Sequence, residues 1–175
     1  MIVRLMCTAA LAAAIVAPLA AQVEKKEMAG VRNYSRVDAT VGCAGATDPA
    51  AMKALKGEGY AAVINLRLPT EEGSDVDGER TAATAAGMKY IHIPFNAAAP
   101  DPKAVDTFLA AVADKSNQPV FIHCGSAGRV AAVWMVKRVL QDKWDVARAQ
   151  KEADAIGTQS PGLRAFVTDY IAKHQ

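Results

Sequence analysis

Short apolar runs alternate with amphipathic stretches from about residue 34 to the end of the chain. The runs at 61–66, 90–93 and 119–122 are bounded by glycine, proline or polar residues, which predicts strands of a buried sheet. Strands that are separated by helical segments form parallel sheets covered by helices. The pattern therefore predicts an α/β fold in which a mostly parallel central sheet is flanked by helices.

Capping signals and apolar spacing predict six helices between and after these strands. Val105, Phe108, Leu109 and Val112 show the i, i+3, i+4, i+7 spacing of a helix that buries one face. Asp or Ser next to Pro marks several starts, and Gly marks several ends. The predicted helices are 48–56, 77–86, 101–112, 129–140, 145–156 and 160–171.

Length and composition indicate one globular domain. The chain has 175 residues, of which 51% are hydrophobic and 22% charged, which suits a single core. We predict a signal peptide over residues 1–21, an N-terminal tail over 22–34 and a single domain over 35–175. The formal net charge of +2 favours neither nucleic acid nor a membrane surface as an electrostatic partner.

The first 21 residues have the pattern of an export signal. Arg4 is their only charge, and an Ala- and Leu-rich run follows it. This run contains Pro18 and is shorter than the ~20 residues needed to span a membrane, which favours a cleaved signal over an anchor. Cleavage near Ala21 would release a mature protein that is periplasmic or secreted and is not stably inserted in the membrane.

Cysteine and histidine usage limits the chemistry of the mature chain. Cys43 and Cys124 remain after removal of the signal peptide, and they could form one disulfide outside the cytoplasm. A domain of this size folds without a disulfide, so their pairing stays open. The histidines at 92, 123 and 174 lack metal-ligand spacing, so we predict no metal and no cofactor.

The segment 123–129, His-Cys-Gly-Ser-Ala-Gly-Arg, connects a predicted buried strand to a predicted helix. A strand, a tight loop and a helix in this order aim backbone N–H groups at one point, which favours an anion. Cys124 would supply a nucleophile there, and Arg129 a bidentate donor. A cysteine that ends an apolar strand is often only a small buried hydrophobe, but the two glycines and Arg129 favour the functional interpretation. The phosphate-binding candidates are His123, Gly125, Ser126, Ala127 and Gly128.

Three phrases occur in the order seen in the bacterial beta-lactamase hydrolase-like phosphatase family. They are His-Cys-x-x-x-x-Arg at 123–129, Val-Ile-Asn-Leu-Arg at 63–67 and Tyr-Ile-His-Ile-Pro at 90–94. From about residue 37 to about 157 the chain resembles this family, whose fold is similar to that of dual-specificity protein tyrosine phosphatases. The resemblance implies a cysteine-phosphatase architecture and a phosphorylated small molecule or phosphoprotein as the substrate.

The resemblance also implies a mechanism. Cys124 would attack a phosphoryl group and form a thiophosphoryl intermediate, which water would then hydrolyse. Arg129 and the amides of residues 125–128 would hold the equatorial oxygens of the phosphoryl group. On this interpretation the chain is a phosphatase-like hydrolase.

The loop also departs from the pattern of tyrosine phosphatases. It has four residues between Cys124 and Arg129, where tyrosine phosphatases have five, and Val130 replaces the hydroxyl residue that often follows the arginine. Ala127 and Gly128 stand where relatives have Gly and Asn. Rhodanese-type sulfurtransferases also have four-residue loops, so a sulfurtransferase that uses a Cys124 persulfide is one alternative. A non-enzymatic oxyanion-binding or redox module is the other.

The general acid is assigned through the same resemblance, since phosphatases of this type carry an aspartate on a loop upstream of the cysteine. Here that loop offers Asn96 and Asp101, of which only Asp101 can donate a proton. Asp101 also precedes Pro102 and an amphipathic run, which favours an ordinary helix N-cap. Charged residues further upstream could line the mouth of the site: Arg67, Glu71 and Glu72.

Overall fold

The computed structural model of the protein describes residues 23–175, and the predicted signal peptide over 1–21 lies outside them. Six strands and six α-helices occur in this part of the chain. The strands are β1 (Glu24–Lys25), β2 (Ser35–Arg36), β3 (Val41–Ala44), β4 (Ala62–Asn65), β5 (Lys89–His92) and β6 (Val120–His123). The helices are α1 (Met52–Gly57), α2 (Val76–Ala85), α3 (Pro102–Ala113), α4 (Gly128–Leu140), α5 (Val146–Ile156) and α6 (Pro161–His174).

The strands form one sheet in the order β1-β2-β3-β6-β4-β5. β3, β6, β4 and β5 run parallel, whereas β1 and β2 are antiparallel additions at one edge. The prediction of a mostly parallel sheet flanked by helices is therefore confirmed. Ala44 on β3 and Asn65 on β4 are both register partners of His123 on β6. The carboxyl ends of three strands thus meet where the His-Cys segment begins.

Both faces of the sheet are covered by apolar side chains. Tyr34, Met52, Leu55, Tyr60 and Phe121 belong to the cluster between the sheet and α1 and α2. The larger cluster on the opposite face contains α4, of which ten of the 13 residues are buried. A helix that is apolar around most of its circumference becomes central, and α4 packs against α5 and α6.

Arg138 joins the elements around α4. Its guanidinium forms ion pairs with Asp38 before β3, Asp142 after α4 and Glu152 on α5. Trp134 donates its indole N–H to the same Glu152 carboxylate at 2.8 Å. Burial disfavours the charge of Arg138, but these hydrogen bonds outweigh that effect and raise its pKa. The network stabilises the packing of α4, the helix whose first turn contains Arg129.

The segment predicted as an N-terminal tail, 22–34, belongs to the fold from residue 24. β1 pairs with β2, and Val31 and Tyr34 are buried. The ammonium of Lys25 donates to the carbonyl of Ile156 at 2.9 Å, which joins the segment to the end of α5. Its polar residues lie on an edge strand, where water can solvate them, so apolar periodicity did not reveal the strand. Among residues 23–175, no helix is both long enough and apolar enough to cross a membrane.

Candidate active site

Cys124 lies directly after β6 and is completely buried. Its N–H donates to the carbonyl of Ala44 on β3 at 3.2 Å. On the other side, Leu66 donates its N–H to the carbonyl of His123 at 2.9 Å. Hydrogen bonds to both neighbouring strands therefore fix the backbone from which the thiol projects.

The loop after Cys124 turns its carbonyl groups toward the segment that surrounds β3. The carbonyl of Gly125 accepts from Ala46 at 3.0 Å, and the carbonyl of Ser126 accepts from the side chain of Asn33 at 3.3 Å. In a trans peptide the C=O and N–H groups point in opposite directions. The N–H groups of Ser126 and Ala127 therefore point away from these partners.

Backbone N–H groups without an acceptor lie where the loop enters α4. Among residues 23–175, the N–H groups of Gly125 and Ser126 donate to no protein acceptor. The N–H groups in the first turn of α4 lack intrahelical partners by the geometry of a helix. Such donors at a helix N-terminus bind anions, because the helix dipole adds a partial positive charge.

Two tight contacts, made by Gly128 and Gly157, shape the loop between Cys124 and α4. Ala127 has φ +75°, the left-handed region, which costs a non-glycine residue about 1–2 kcal/mol. A Cβ on Gly128 would lie 2.3 Å from the carbonyl oxygen of Thr158, and one on Gly157 would lie 3.0 Å from the Cβ of Ala127. Glycine at 128 and 157 thus lets the segment after α5 pack closely against the loop that follows Cys124.

Arg129 lies in the first turn of α4, and its guanidinium is held by backbone and side-chain acceptors. Nη1 donates to the carbonyls of Leu66 at 3.2 Å and Phe95 at 3.1 Å. Glu71 accepts from Nη1 at 2.5 Å through one carboxylate oxygen and from Nη2 at 2.7 Å through the other. Burial disfavours the charge of Arg129, but the hydrogen bonds to Glu71 and the nearby Cys124 raise its pKa.

These contacts leave one edge of the Arg129 guanidinium free. Among residues 23–175, Nε and the second N–H of Nη2 meet no oxygen acceptor. A Cβ on Gly125, the residue after Cys124, would lie 3.3 Å from Nη2 of Arg129, so the guanidinium lies beside the start of the loop. The structure thus brings Cys124 and Arg129 together, with a donor edge suited to bidentate contact with a phosphoryl group.

Glu71 belongs to the loop between β4 and α2, and it is a clamp for Arg129 rather than a solvated residue. It also accepts from the N–H of Leu68 at 2.7 Å. Burial favours the neutral acid, but the hydrogen bonds from Arg129 and Leu68 outweigh it and lower the pKa of Glu71 to about 2. Glu71 is therefore ionised at neutral pH and has no proton to donate to a leaving group.

Arg67 stabilises the same loop from within. Its side chain is buried, and it donates to the carbonyls of Gly73 at 2.8 Å and Glu72 at 2.5 Å. His92 contacts the carbonyl of Arg67 through Nε2 at 2.8 Å. Three charged residues were predicted at the mouth of the site. Arg67 and Glu71 form side-chain contacts that hold the loop and Arg129 in place, whereas Glu72 contributes a backbone carbonyl.

A buried polar cluster lies beneath the site and was not predicted from the sequence. The Glu79 carboxylate, on α2, lies 3.1 Å from Nε2 of His123. It also accepts from the Asn65 side chain at 2.7 Å and from the Tyr90 hydroxyl at 2.9 Å. Asn65 in an otherwise apolar strand was the one sequence signal of this cluster.

Asp101 caps α3. Its carboxylate accepts from the N–H of Lys103 at 2.9 Å, and the residue is exposed. The helix-cap interpretation therefore describes its contacts in the structure. Its role as a general acid stays a prediction.

The two cysteines of the described chain are free and buried. Burial, together with the charge of Glu152, raises the pKa of the Cys43 thiol well above its usual value. Cys43 is thus an inert core thiol. Cys124 has no exposed surface either, so neighbouring groups cover its sulfur.

A cysteine at the end of a central parallel strand, an amide-lined loop and an arginine at the start of the next helix define a cysteine-phosphatase type of site. The family model of the beta-lactamase hydrolase-like protein, phosphatase-like domain, matches residues 33–141. The chain belongs to this family. A search of curated proteins by sequence gave no match.

Solved structures show the same fold. A phosphatase-like DUF442 protein from Shewanella putrefaciens CN-32 is 25% identical, with a TM-score of 0.71, over 83% of this chain and 95% of that chain. TpbA of P. aeruginosa is 16% identical, with a TM-score of 0.68, over 91% and 94% of the two chains. The core catalytic domain of the PP-IP phosphatase SIW14 from S. cerevisiae is 18% identical, with a TM-score of 0.65, over 82% and 86%.

Proposed function

We propose that this protein is a cysteine-dependent phosphatase that hydrolyses a phosphate ester through a thiophosphoryl-enzyme intermediate. One observation carries the proposal. The Arg129 guanidinium, held by Glu71, keeps a free donor edge and lies next to Gly125, beside Cys124 and the unpaired loop amides. A dianionic phosphoryl group fits donors arranged in this way, because they stabilise its charge without reorganising.

The first step transfers the phosphoryl group to sulfur. The Cys124 thiolate attacks phosphorus, a P–S bond forms, and the P–O bond to the leaving group breaks. The leaving oxygen takes a proton from an acid, for which Asp101 is the candidate. Arg129 and the amides of Gly125 and Ser126 bind the phosphoryl oxygens throughout this step.

The second step regenerates the enzyme. A water molecule attacks phosphorus and loses a proton to bulk base, the P–S bond breaks, and inorganic phosphate leaves. The electron pair of that bond returns to Cys124 as a thiolate. Since residue 130 is valine, thiolate departure relies on Arg129 and the loop amides.

The substrate class we propose is a phosphate monoester on a small molecule or a protein. TpbA of P. aeruginosa has been crystallised in complex with phosphotyrosine, and the yeast relative is a PP-IP phosphatase. These two structures favour a phosphorylated ligand but differ in its chemistry. Phosphotyrosine, phosphoserine and inositol phosphates should therefore be assayed side by side.

Turnover of an aryl phosphate tests the proposal. The purified chain should release phosphate from para-nitrophenyl phosphate, and vanadate should inhibit it. Cys124→Ser should abolish turnover, whereas Cys43→Ser, which changes the other buried thiol, should retain it. Absence of turnover across a broad panel of phosphate esters would count against a phosphatase.

A sulfurtransferase is the second candidate, because the four-residue loop between Cys124 and Arg129 is also compatible with a sulfane sulfur. Incubation with thiosulfate followed by mass spectrometry separates the two functions. A persulfide on Cys124, with thiocyanate released on addition of cyanide, would favour sulfur transfer. Anion binding without turnover of either kind would select a binding module.

We also propose that the mature protein is periplasmic or secreted. The charge and apolar pattern of residues 1–21 supports this location. N-terminal sequencing of the protein from fractionated cells tests it, with a mature end near residue 22 as the expected result. A full-length chain in the cytoplasmic fraction would contradict the proposal.

A further inference from the structure

Asn33, between β1 and β2, makes polar contacts with the loop that follows Cys124. Its Nδ2 donates to the carbonyl of Ser126 at 3.3 Å and to the carbonyl of Ile156, at the end of α5, at 3.4 Å. The ammonium of Lys25 donates to Oδ1 of Asn33 and to the same Ile156 carbonyl, both at 2.9 Å. These hydrogen bonds join three segments that lie far apart in the chain.

Lys25 orients the side-chain amide of Asn33. An ammonium can only donate hydrogen bonds, so the amide oxygen faces Lys25 and the amide nitrogen faces the Ser126 carbonyl. Partial burial of the ammonium lowers the pKa of Lys25, so water competes less for its hydrogen bonds. Asn33 itself has φ +51°, a left-handed conformation that asparagine adopts more readily than most residues. The amide is therefore held with its donor toward the loop.

The carbonyl that Asn33 binds belongs to a strained part of the loop. Ala127 has φ +75°, in the left-handed region that a Cβ disfavours. Rotation of the Ser126–Ala127 peptide by about half a turn would return φ of Ala127 to the ordinary negative range. That rotation would break the hydrogen bond from Asn33 to the carbonyl. The contact therefore opposes relaxation of the strain, which persists only where neighbouring groups hold it.

The orientation of this peptide matters for an anion. The Ser126 carbonyl faces Asn33, so the N–H of the same peptide points the opposite way. Rotation would exchange the two groups and place a carbonyl oxygen on the side where the N–H now lies. Its partial negative charge would repel a phosphoryl group bound at the start of α4.

We propose that Asn33, oriented by Lys25, is a positioning residue that holds the Ser126–Ala127 peptide in the strained conformation needed to bind the phosphoryl group. The inference rests on the proposed function, in which this loop binds the substrate. Asn33 acts through the loop backbone, so its effect depends on the strain at Ala127.

A double-mutant cycle with Ala127→Gly tests the proposal through tungstate binding, which isothermal titration calorimetry measures without turnover. Asn33→Gly removes the side chain but suits the left-handed backbone, and it should weaken tungstate binding by about 5-fold, the equivalent of one net hydrogen bond. Glycine at 127 relieves the strain, so the same change should cost less than about 2-fold in that background.

An unchanged tungstate affinity in Asn33→Gly, or an equal loss in both backgrounds, would overturn the inference, because a merely structural contact is not rescued by glycine at 127. Lys143→Gly is the matched control. Lys143 is exposed and also has a positive φ, of 59°, but it lies at the opposite end of α4 from Arg129. This variant should keep the wild-type affinity.

Lys25→Met provides a second variant that leaves Asn33 in place. It frees the amide to rotate and should weaken tungstate binding by about 2- to 5-fold. Lys26→Met removes the same charge from the next residue, whose ammonium pairs with the exposed Glu24 at 3.8 Å, and should keep the wild-type affinity. Equal losses in the two lysine variants would show an effect of net charge and contradict the role of Lys25.

The wild-type protein separates the inference from the proposed function. If it binds tungstate and the cycle between Asn33 and Ala127 shows no coupling, the inference fails and the proposed phosphatase stands. If the wild type binds no tungstate, both fail.

Discussion

Glu71 binds both terminal nitrogens of Arg129 through its two carboxylate oxygens, at 2.5 and 2.7 Å. The two residues are 58 positions apart in the chain, and they meet because the loop after β4 lies across the start of α4. This bidentate contact fixes the plane of the guanidinium. It therefore determines which edge of the Arg129 guanidinium stays free.

The Glu71–Arg129 pair should contribute to stability in a pH-dependent way. The pKa of Glu71 falls from 4.5 to about 2 on folding, which sets an upper limit of roughly 3 kcal/mol. Because the side chain is 25% exposed, solvent screening reduces the contribution to about 1 kcal/mol. Urea unfolding of Glu71→Gln should show that loss at neutral pH.

The sign of the pH dependence follows from a depressed carboxyl pKa. The contribution of Glu71 is complete above its unfolded value of 4.5 and disappears as the pH falls through about 2. The wild type and Glu71→Gln should thus differ in unfolding free energy at about pH 7 and converge toward about pH 2. Glu72→Gln is the control, and a difference that grows with acid would contradict this account.

Arg129→Lys should lower kcat/KM for an aryl phosphate by about 100- to 1,000-fold. Lysine keeps the positive charge but cannot bind Glu71 and a phosphoryl group through a planar fork. Steady-state kinetics provide the measurement. Arg164→Lys on α6, a half-buried arginine that pairs with Asp154, should leave kcat/KM unchanged. Near wild-type kinetics in Arg129→Lys would show that the planar guanidinium is unnecessary.

Gly128→Ala should destabilise the protein by about 1–3 kcal/mol. Its Cβ would meet the Thr158 carbonyl oxygen at 2.3 Å, a backbone atom that cannot rotate away. Gly162→Ala, where a Cβ meets nothing within 4 Å, should be neutral or stabilising by about 0.5–1 kcal/mol in its helix. Thermal unfolding compares the two variants, and equal stability would refute the contact.

Asp101→Asn separates the helix cap from general acid catalysis. Asparagine caps a helix about as well as aspartate, so thermal stability should not change. We expect turnover of the activated ester para-nitrophenyl phosphate to persist, since its leaving group needs little protonation. If the basic limb of the pH–rate profile with an alkyl phosphate disappears in this variant, Asp101 is the acid; an unchanged profile assigns it to the cap alone.

Apolar periodicity predicted the six helices and the strands β4, β5 and β6, because each has a core-facing pattern of its own. It missed β3, whose four residues pair with β2 on one side and with β6 on the other. It also missed the two-residue pair β1 and β2 at the polar edge. Short strands depend on their neighbours rather than on local sequence.

The candidate site likewise has features that the local sequence predicts and features that depend on contacts between distant segments. Cys124 and Arg129 were predictable since strand, loop and helix are contiguous in the chain. The pairing of Glu71 with Arg129, and of Glu79 with His123, depends on how α2 and its preceding loop approach α4 and β6. Glu79 lies three residues after Val76 and four before the buried Ala83. No prediction rested on that spacing, and it could not have identified the partner of Glu79.

The most direct test of the central claim is to trap the phosphorylated cysteine. The protein is mixed with para-nitrophenyl phosphate, quenched rapidly in acid and analysed by mass spectrometry of its proteolytic peptides. The account predicts a phosphoryl adduct on Cys124 and none on Cys43. Turnover without any adduct on Cys124, or with the phosphoryl group on another residue, would contradict it.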